Sequence, residues 1–261
     1  MLHLWIGIAA GLAATGKIPF ASTFAVFAPG RSFDQIRVSV AQSDLNVKIV
    51  STHAGLTVGE DGASHQALED LALIGSLPGF TIIVPADAVE TAQAIKAVAA
   101  HRGPCYVRLC RPKLPTVYGS DYRFEIGRAV TMRSGTDATV ITLGVMVAAA
   151  LEASDALSRE GVSCRVLNMP TFKPIDTAAI LKVAAETGAI VTAEEHQEYG
   201  GLGSVVARVI AAKNPVPMEF VAIKNVFGQS GKPAELMERY GLTSKDIVKA
   251  VRQVIKRKKA E

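Results

Sequence analysis

The sequence predicts an α/β protein made of two tandem three-layer domains, residues 1–118 and 119–261. Three observations predict it. Short β-branched and apolar runs alternate with helical segments along the whole chain, the pattern of a mainly parallel sheet covered by helices. The alternation is interrupted between about Arg111 and Ser120, where Pro112, Pro115 and Gly119 mark a linker. The length, 261 residues, is long for one compact domain and ample for two.

Taken in order, Ile6 to Thr15 reads as a small-residue helix closed by Gly16. Pro19 to Phe27 is extended and apolar, with Pro29-Gly30 as punctuation, and Ser32 to Ala41 is a helix capped by Ser32 or Asp34. Asn46 to Ser51 is a strand. A glycine-rich loop covers Ala54 to Ala63, and a helix is predicted from about Ser64 to Leu77. Thr81 to Val84 is a buried strand stopped by Pro85, and Asp87 with Glu90 forms a capping box for the next helix. Cys105 to Leu109 closes the first set of strands. After the linker, strands are predicted at 138–143, 163–167, 189–193 and 217–223. Helices are predicted at 145–159, 176–187, 202–212 and 243–256, the last opened by a capping box of Thr243 and Asp246.

The composition, 49% hydrophobic and 20% charged, excludes a disordered or fibrous chain. No apolar run reaches the ~18 residues of a membrane span, and the opening Met1-Leu2-His3-Leu4-Trp5-Ile6 has no basic stretch of the kind that begins a signal peptide. Cys105, Cys110 and Cys164 form no CxxC pair and read as reduced thiols of a cytoplasmic protein. The net charge is +4, and the run Lys256-Arg257-Lys258-Lys259 reads as a solvated last helical turn, with no nucleic-acid partner and no membrane partner expected. Gly201-Leu202-Gly203 opens a predicted helix, but a lone glycine motif is a weak sign of a nucleotide.

The chemistry concentrates between His53 and His65, in Thr52-His53-Ala54-Gly55-Leu56-Thr57-Val58-Gly59-Glu60-Asp61-Gly62-Ala63-Ser64-His65. This loop leaves the carboxyl end of a predicted strand, the edge at which open α/β sheets bind ligands. Its imidazoles titrate near neutral pH and its carboxylates can hold hydroxyls. A surface loop, with Ser64 capping the following helix and Asp61-Gly62 as a turn, is the plain structural alternative. A metal site of His53, Asp61 and His65 matches none of the familiar metal-ligand spacings.

The stretch resembles the transketolase motif T-H-D-x-x-x-x-G-E-D-G-x-x-H-Q, and it continues through Gln66-Ala67-Leu68-Glu69-Asp70-Leu71-Ala72 and Ser76-Leu77-Pro78; Ala54 replaces the usual Asp. Ser22 to Phe27 with Phe33 to Arg37, Arg108 to Pro112, and Val191 to His196 with Gly200 to Gly203 extend the resemblance over nearly the whole chain. It implies a thiamine-diphosphate pyrimidine-binding domain followed by a transketolase C-terminal domain, and transfer of a two-carbon ketol unit from a ketose phosphate to an aldose phosphate. By the same resemblance Phe24 and Phe27 stack on the aminopyrimidine, a third aromatic of some members being Gly30 here. Asp61 binds a donor hydroxyl, His65 moves a proton, and His53 and Arg111 hold the sugar phosphate. Arg108 is either part of that segment or structural.

Two departures bear on partners. The chain has no Gly-Asp-Gly, the motif with which the family holds the cofactor pyrophosphate and magnesium. The resemblance therefore implies an N-terminal transketolase subunit carrying the phosphate-binding domain, in a dimer or heterotetramer of paired halves. The glutamate that activates the thiazolium falls at Leu2, and the first strand and helix of the pyrimidine-binding domain have no counterpart. Two other readings are thereby left: a non-catalytic, partner-binding relic, and the C-terminal half of a 1-deoxyxylulose-5-phosphate synthase. His53, the 66–72 continuation and Arg108 to Pro112 favour transketolase over the second.

Overall fold

Two five-stranded sheets form, each from the runs of β-branched residues that alternate with helices. The structure, a computed structural model, describes residues 2–259; the side chain of Leu2 lies outside the described residues. The first half contains α1 (Leu2–Ala14), β1 (Phe20–Phe24), α2 (Ala28–Gln35), β2 (Lys48–Thr52), α3 (Asp70–Gly75), β3 (Thr81–Ile83), α4 (Ala88–Ala100) and β4 (Cys105–Arg108). The second contains β5 (Val130–Arg133), β6 (Ala138–Thr142), α5 (Met146–Arg159), β7 (Cys164–Asn168), β8 (Thr171–Lys173) and α6 (Thr177–Thr187). It ends with β9 (Ile190–Gln197), α7 (Leu202–Lys213), β10 (Met218–Ile223), α8 (Pro233–Arg239) and α9 (Ser244–Lys258). The sheet orders are β1-β2-β4-β3-β8 and β10-β9-β6-β7-β5. All pairings are parallel except β3 with β8 and β5 with β7. No helix among the described residues is long and apolar enough to cross a membrane.

Several elements differ from the sequence expectations for identifiable reasons. The helix expected from Ser64 shrinks to Asp70–Gly75. Ser64 and His65 stay in a turn, and Ala67 is drawn into a bridge, accepting from the Gly55 amide at 2.9 Å and pairing with Ala54. The helix expected at Ser32 starts at Ala28, since Pro29 fits a first turn, where its missing N–H is not needed. Neither Ser32 nor Asp34 caps it; Ser32 is buried at a kink, and the segment continues as a π-helical stretch over Ile36–Ala41. Asp87 caps α4 as expected, but the Glu90 carboxylate reaches back to the Ala86 amide at 2.7 Å, not to its own cap residue. Strands β5 and β8 and helix α8 were not anticipated; β8 has three residues between Pro170 and Pro174. In the basic terminal run, Arg257 holds the Met218 carbonyl and Glu219, and Lys258 holds the Thr187 carbonyl.

The halves are joined by more than the linker. Strand β8 belongs by sequence to the second half yet completes the first sheet on β3. Lys173 then donates to the carbonyls of Gly75 and Leu77 at 3.0 and 2.6 Å. Asn168, at the end of β7, donates to Glu90 and to the Tyr118 hydroxyl, and Glu90 accepts from Tyr122. At the carboxyl edge, Arg108 pairs with Asp70 at 2.8 Å, both fully buried, and also donates to the carbonyls of Ala67 and Glu195. The Tyr106 hydroxyl donates to the same Asp70.

Beside that pair, β9 brings three buried titratable residues in a row, Glu194, Glu195 and His196. Burial pushes both carboxyls up to about 7 and the His196 imidazole down to about 4. Glu194 accepts from the amides of Leu202 and Gly203 at 2.6 and 2.7 Å. The amino end of α7, which a nucleotide phosphate would need, is thus filled by the chain's own carboxylate.

Breaking the Arg108–Asp70 pair from one side leaves an uncompensated buried charge. Asp70→Asn should lower the unfolding free energy by about 3–5 kcal/mol, and the double variant Asp70→Leu with Arg108→Met should recover part of it, as read by urea denaturation. The neighbouring carboxyls set the pH response. Their contribution is complete below the unfolded glutamate value near 4.3 and is lost as pH rises through about 7. His196 acts oppositely, its contribution complete above about 6.5 and lost as pH falls through about 4. Between pH 6.5 and 8 these two carboxyls pull stability down as pH rises, so Glu194→Gln should remove part of that fall relative to the wild type, as read by urea denaturation across the window.

Candidate active site

The sequence-predicted residues come from three carboxyl-edge segments of the first sheet. Phe24 ends β1, and the chain then turns, with the Phe27 amide bonded to the Phe24 carbonyl at 3.0 Å. The two rings lie parallel, 2° apart in plane and 5.8 Å between centroids. His53 follows β2 in a left-handed conformation, φ +58°, which aims its ring back over Phe24. The imidazole stacks there at 3.7 Å and is held by Thr52 Oγ1 at 2.9 Å from Nδ1. His65 stands edge-on to Phe27 at 5.3 Å and to Phe24 at 6.3 Å, with Ser64 Oγ 2.9 Å from Nδ1. Arg31 covers Phe27, its guanidinium carbon 4.4 Å from the ring centre.

Asp61 and Arg111 meet at 3.7 Å on the same shelf, and Glu60 lies 3.5 Å from the same guanidinium. Arg111 also donates to the Val58 carbonyl, so the loop that carries both acids also orients the cation that faces them. Burial lowers the pKa of His53, and the Arg111 charge adds to the effect against an opposing pull from Asp61. All six expected residues, Phe24, Phe27, His53, His65, Asp61 and Arg111, are thus brought together. Arg108 is not on the shelf; its place is the buried pair with Asp70. His53 lies against Phe24, within electrostatic reach of Arg111.

The shelf is open. The four rings are half-buried, and the side chains of Asp61, Glu60 and Arg111 are 43%, 62% and 42% exposed. The Phe24 face already receives one flat heteroaromatic, the His53 imidazole, at stacking distance. That face is therefore covered by the chain's own His53, and a second flat ring would stack there only with the imidazole displaced. Among the described residues no cluster of His, Cys, Asp or Glu is arranged to hold a metal.

The residues that hold the loop in shape were not found from sequence. Thr57 donates from its amide to Glu195 at 2.6 Å, and Gln66 donates to the Gln229 carbonyl at 3.0 Å. Ser230 Oγ bonds the Glu60 carbonyl. Their partners lie more than a hundred residues away, and no local pattern announces such pairs. The glycines at 55, 59 and 62 were the visible signal that something approaches closely.

Residues 3–117 match the transketolase pyrimidine-binding domain and residues 127–247 the transketolase C-terminal domain. The chain is 42% identical to a 6-deoxy-6-sulfo-D-fructose transketolase subunit of Clostridium sp. (strain MSTE9), over 97% of this chain and 79% of that one. It is 39% identical to an apulose-4-phosphate transketolase subunit of Phocaeicola vulgatus, over 97% and 81%. Among solved structures, a split-gene transketolase described as an inactive beta4 tetramer superposes with a TM-score of 0.93 at 49% identity, covering 98% of this chain and 82% of that one. The sequence, the two sheets and these likenesses agree: the chain belongs to the transketolase family, whose pyrimidine-binding and C-terminal domains it carries in tandem.

Proposed function

We propose that this chain is the C-terminal subunit of a split transketolase, transferring a two-carbon ketol unit from a ketose phosphate to an aldose phosphate. The observation that carries the proposal is the open shelf, on which stacking rings, two imidazoles, a carboxylate and a guanidinium converge but remain uncovered on one side. A shelf of this kind is half of a site. A partner subunit with the phosphate-binding domain would cover it and bring the equipment for the pyrophosphate and magnesium. Bound thiamine diphosphate would supply the carbanion chemistry; everything else falls to side chains.

Phe24 and Phe27 take the aminopyrimidine by stacking. Arg111 and His53 hold the sugar phosphate, the planar guanidinium by two parallel hydrogen bonds. Asp61 accepts from a donor hydroxyl and so selects its configuration. His65 gives and takes the proton at the sugar oxygen. Two relatives are named for different sugars, a sulfofructose and apulose 4-phosphate, and the split-gene neighbour is described as inactive as a tetramer of one chain type. That inactivity, together with Leu2 at the place of the activating glutamate, supports the view that this chain alone transfers little or nothing.

Ketol transfer from xylulose 5-phosphate to ribose 5-phosphate, with thiamine diphosphate and magnesium, tests the reading. Transfer by the mixture with a phosphate-domain subunit, and not by this chain alone, is the expected result. Strong transfer by the isolated chain would refute the split arrangement, and none in either case would favour the partner-binding relic. In the active mixture His65→Ala should cut kcat by about 10²–10⁴-fold. Arg111→Ala should instead raise the donor KM with a smaller change in kcat.

A further inference from the structure

Of the buried carboxylates, Glu195 has the contacts most directed at the shelf. It lies in the second half of the chain, at 2% exposure, and its side chain crosses to the first half. One carboxylate oxygen accepts from the Thr57 amide at 2.6 Å and the other from the Thr57 hydroxyl at 3.3 Å. Gly55 makes room for it: a Cβ built there would come 2.1 Å from the carboxyl carbon, and the residue is at φ +82°. From Thr57 the chain passes directly to Val58, whose carbonyl orients Arg111, and then to Glu60 and Asp61, which face that cation. The far end of the same loop is bonded by Gln229 and Ser230, also of the second half.

We infer that Glu195 is a positioning residue: by gripping Thr57 from the second half, it fixes the 55–61 loop and hence the spacing of Asp61 and Arg111 that a phosphorylated sugar must meet. The inference rests on the reading of the shelf as a ketol-transfer site for its consequence in catalysis, but not for the grip itself. A carboxyl group suits the task because it sets one oxygen toward each of the two donors of a single residue, the amide and the hydroxyl. A glutamine in its place keeps one acceptor for the amide and offers an NH₂ to the hydroxyl, whereas methionine fills the space and offers neither.

Amide hydrogen exchange on the full chain separates the grip from the activity. Glu195→Met should speed exchange of the 55–62 amides by about tenfold or more, with the helices of both halves unchanged. Glu195→Gln should restore exchange to within about threefold of the wild type. If the methionine variant does not fold, Thr57→Val, which removes only the hydroxyl bond, should still give a smaller acceleration confined to that loop. Loop exchange at the wild-type rate in the folded variant, or acceleration spread evenly over the chain, would overturn the inference. In the active mixture the methionine variant should lose about tenfold in kcat/KM, mostly through KM for the donor, with the glutamine variant restoring it. A wild-type mixture without ketol transfer would sink the transketolase reading, while the exchange result would still decide the grip.

Discussion

The guanidinium of Arg108 is buried, and a buried cation is tolerated only where a counter-charge and further acceptors meet it. Here Asp70 supplies the charge, and the carbonyls of Ala67 and Glu195 supply the rest. Each partner belongs to a different piece of the active-site region: β4 itself, the start of α3, the extended segment before it, and β9 of the other half. Satisfying one ion therefore fixes how these pieces are set against one another. The loop between His53 and His65 hangs from this frame, since its return to α3 passes through Ala67.

Much of this organisation was legible in the chain. The alternation of β-branched runs with helices announced the parallel sheets, and the Thr52-to-Gln66 stretch pointed to the carboxyl edge where Phe24, Phe27, His53, His65, Asp61 and Arg111 meet. Legibility stopped where a local preference met a distant partner. Residues 64–69 have ordinary helical character, yet Ser64 and His65 stay in a turn and the bridge of Ala67 to Ala54 keeps the helix from starting before Asp70. Strand β8 is too short to be read from periodicity, and it exists because the edge of β3 offers hydrogen bonds. Glu194 and Glu195 look like a solvated acidic pair; in the fold both are buried, each against backbone amides that need an acceptor.

The candidate site shares the surface with exposed apolar side chains. The aromatic wall, the imidazoles and the ionic cluster face outward together. On the first domain, Leu4, Ile8, Leu12, Ile18 and Phe20 are also exposed, and β1 is the edge strand of its sheet. An apolar helix stripe beside an unpaired edge is unusual on a surface meant to stay in water.

Strand β8 has a consequence for how such an enzyme can be divided between genes. The pyrimidine-binding sheet is finished by a strand that the ribosome delivers only after the C-terminal domain has begun. A break anywhere between β4 and β8 would leave the outer edge of β3 and the Arg108 contact to the Glu195 carbonyl dependent on association of the two pieces. The two domains thus share one sheet, and the first reaches its full five strands only with residues supplied by the second.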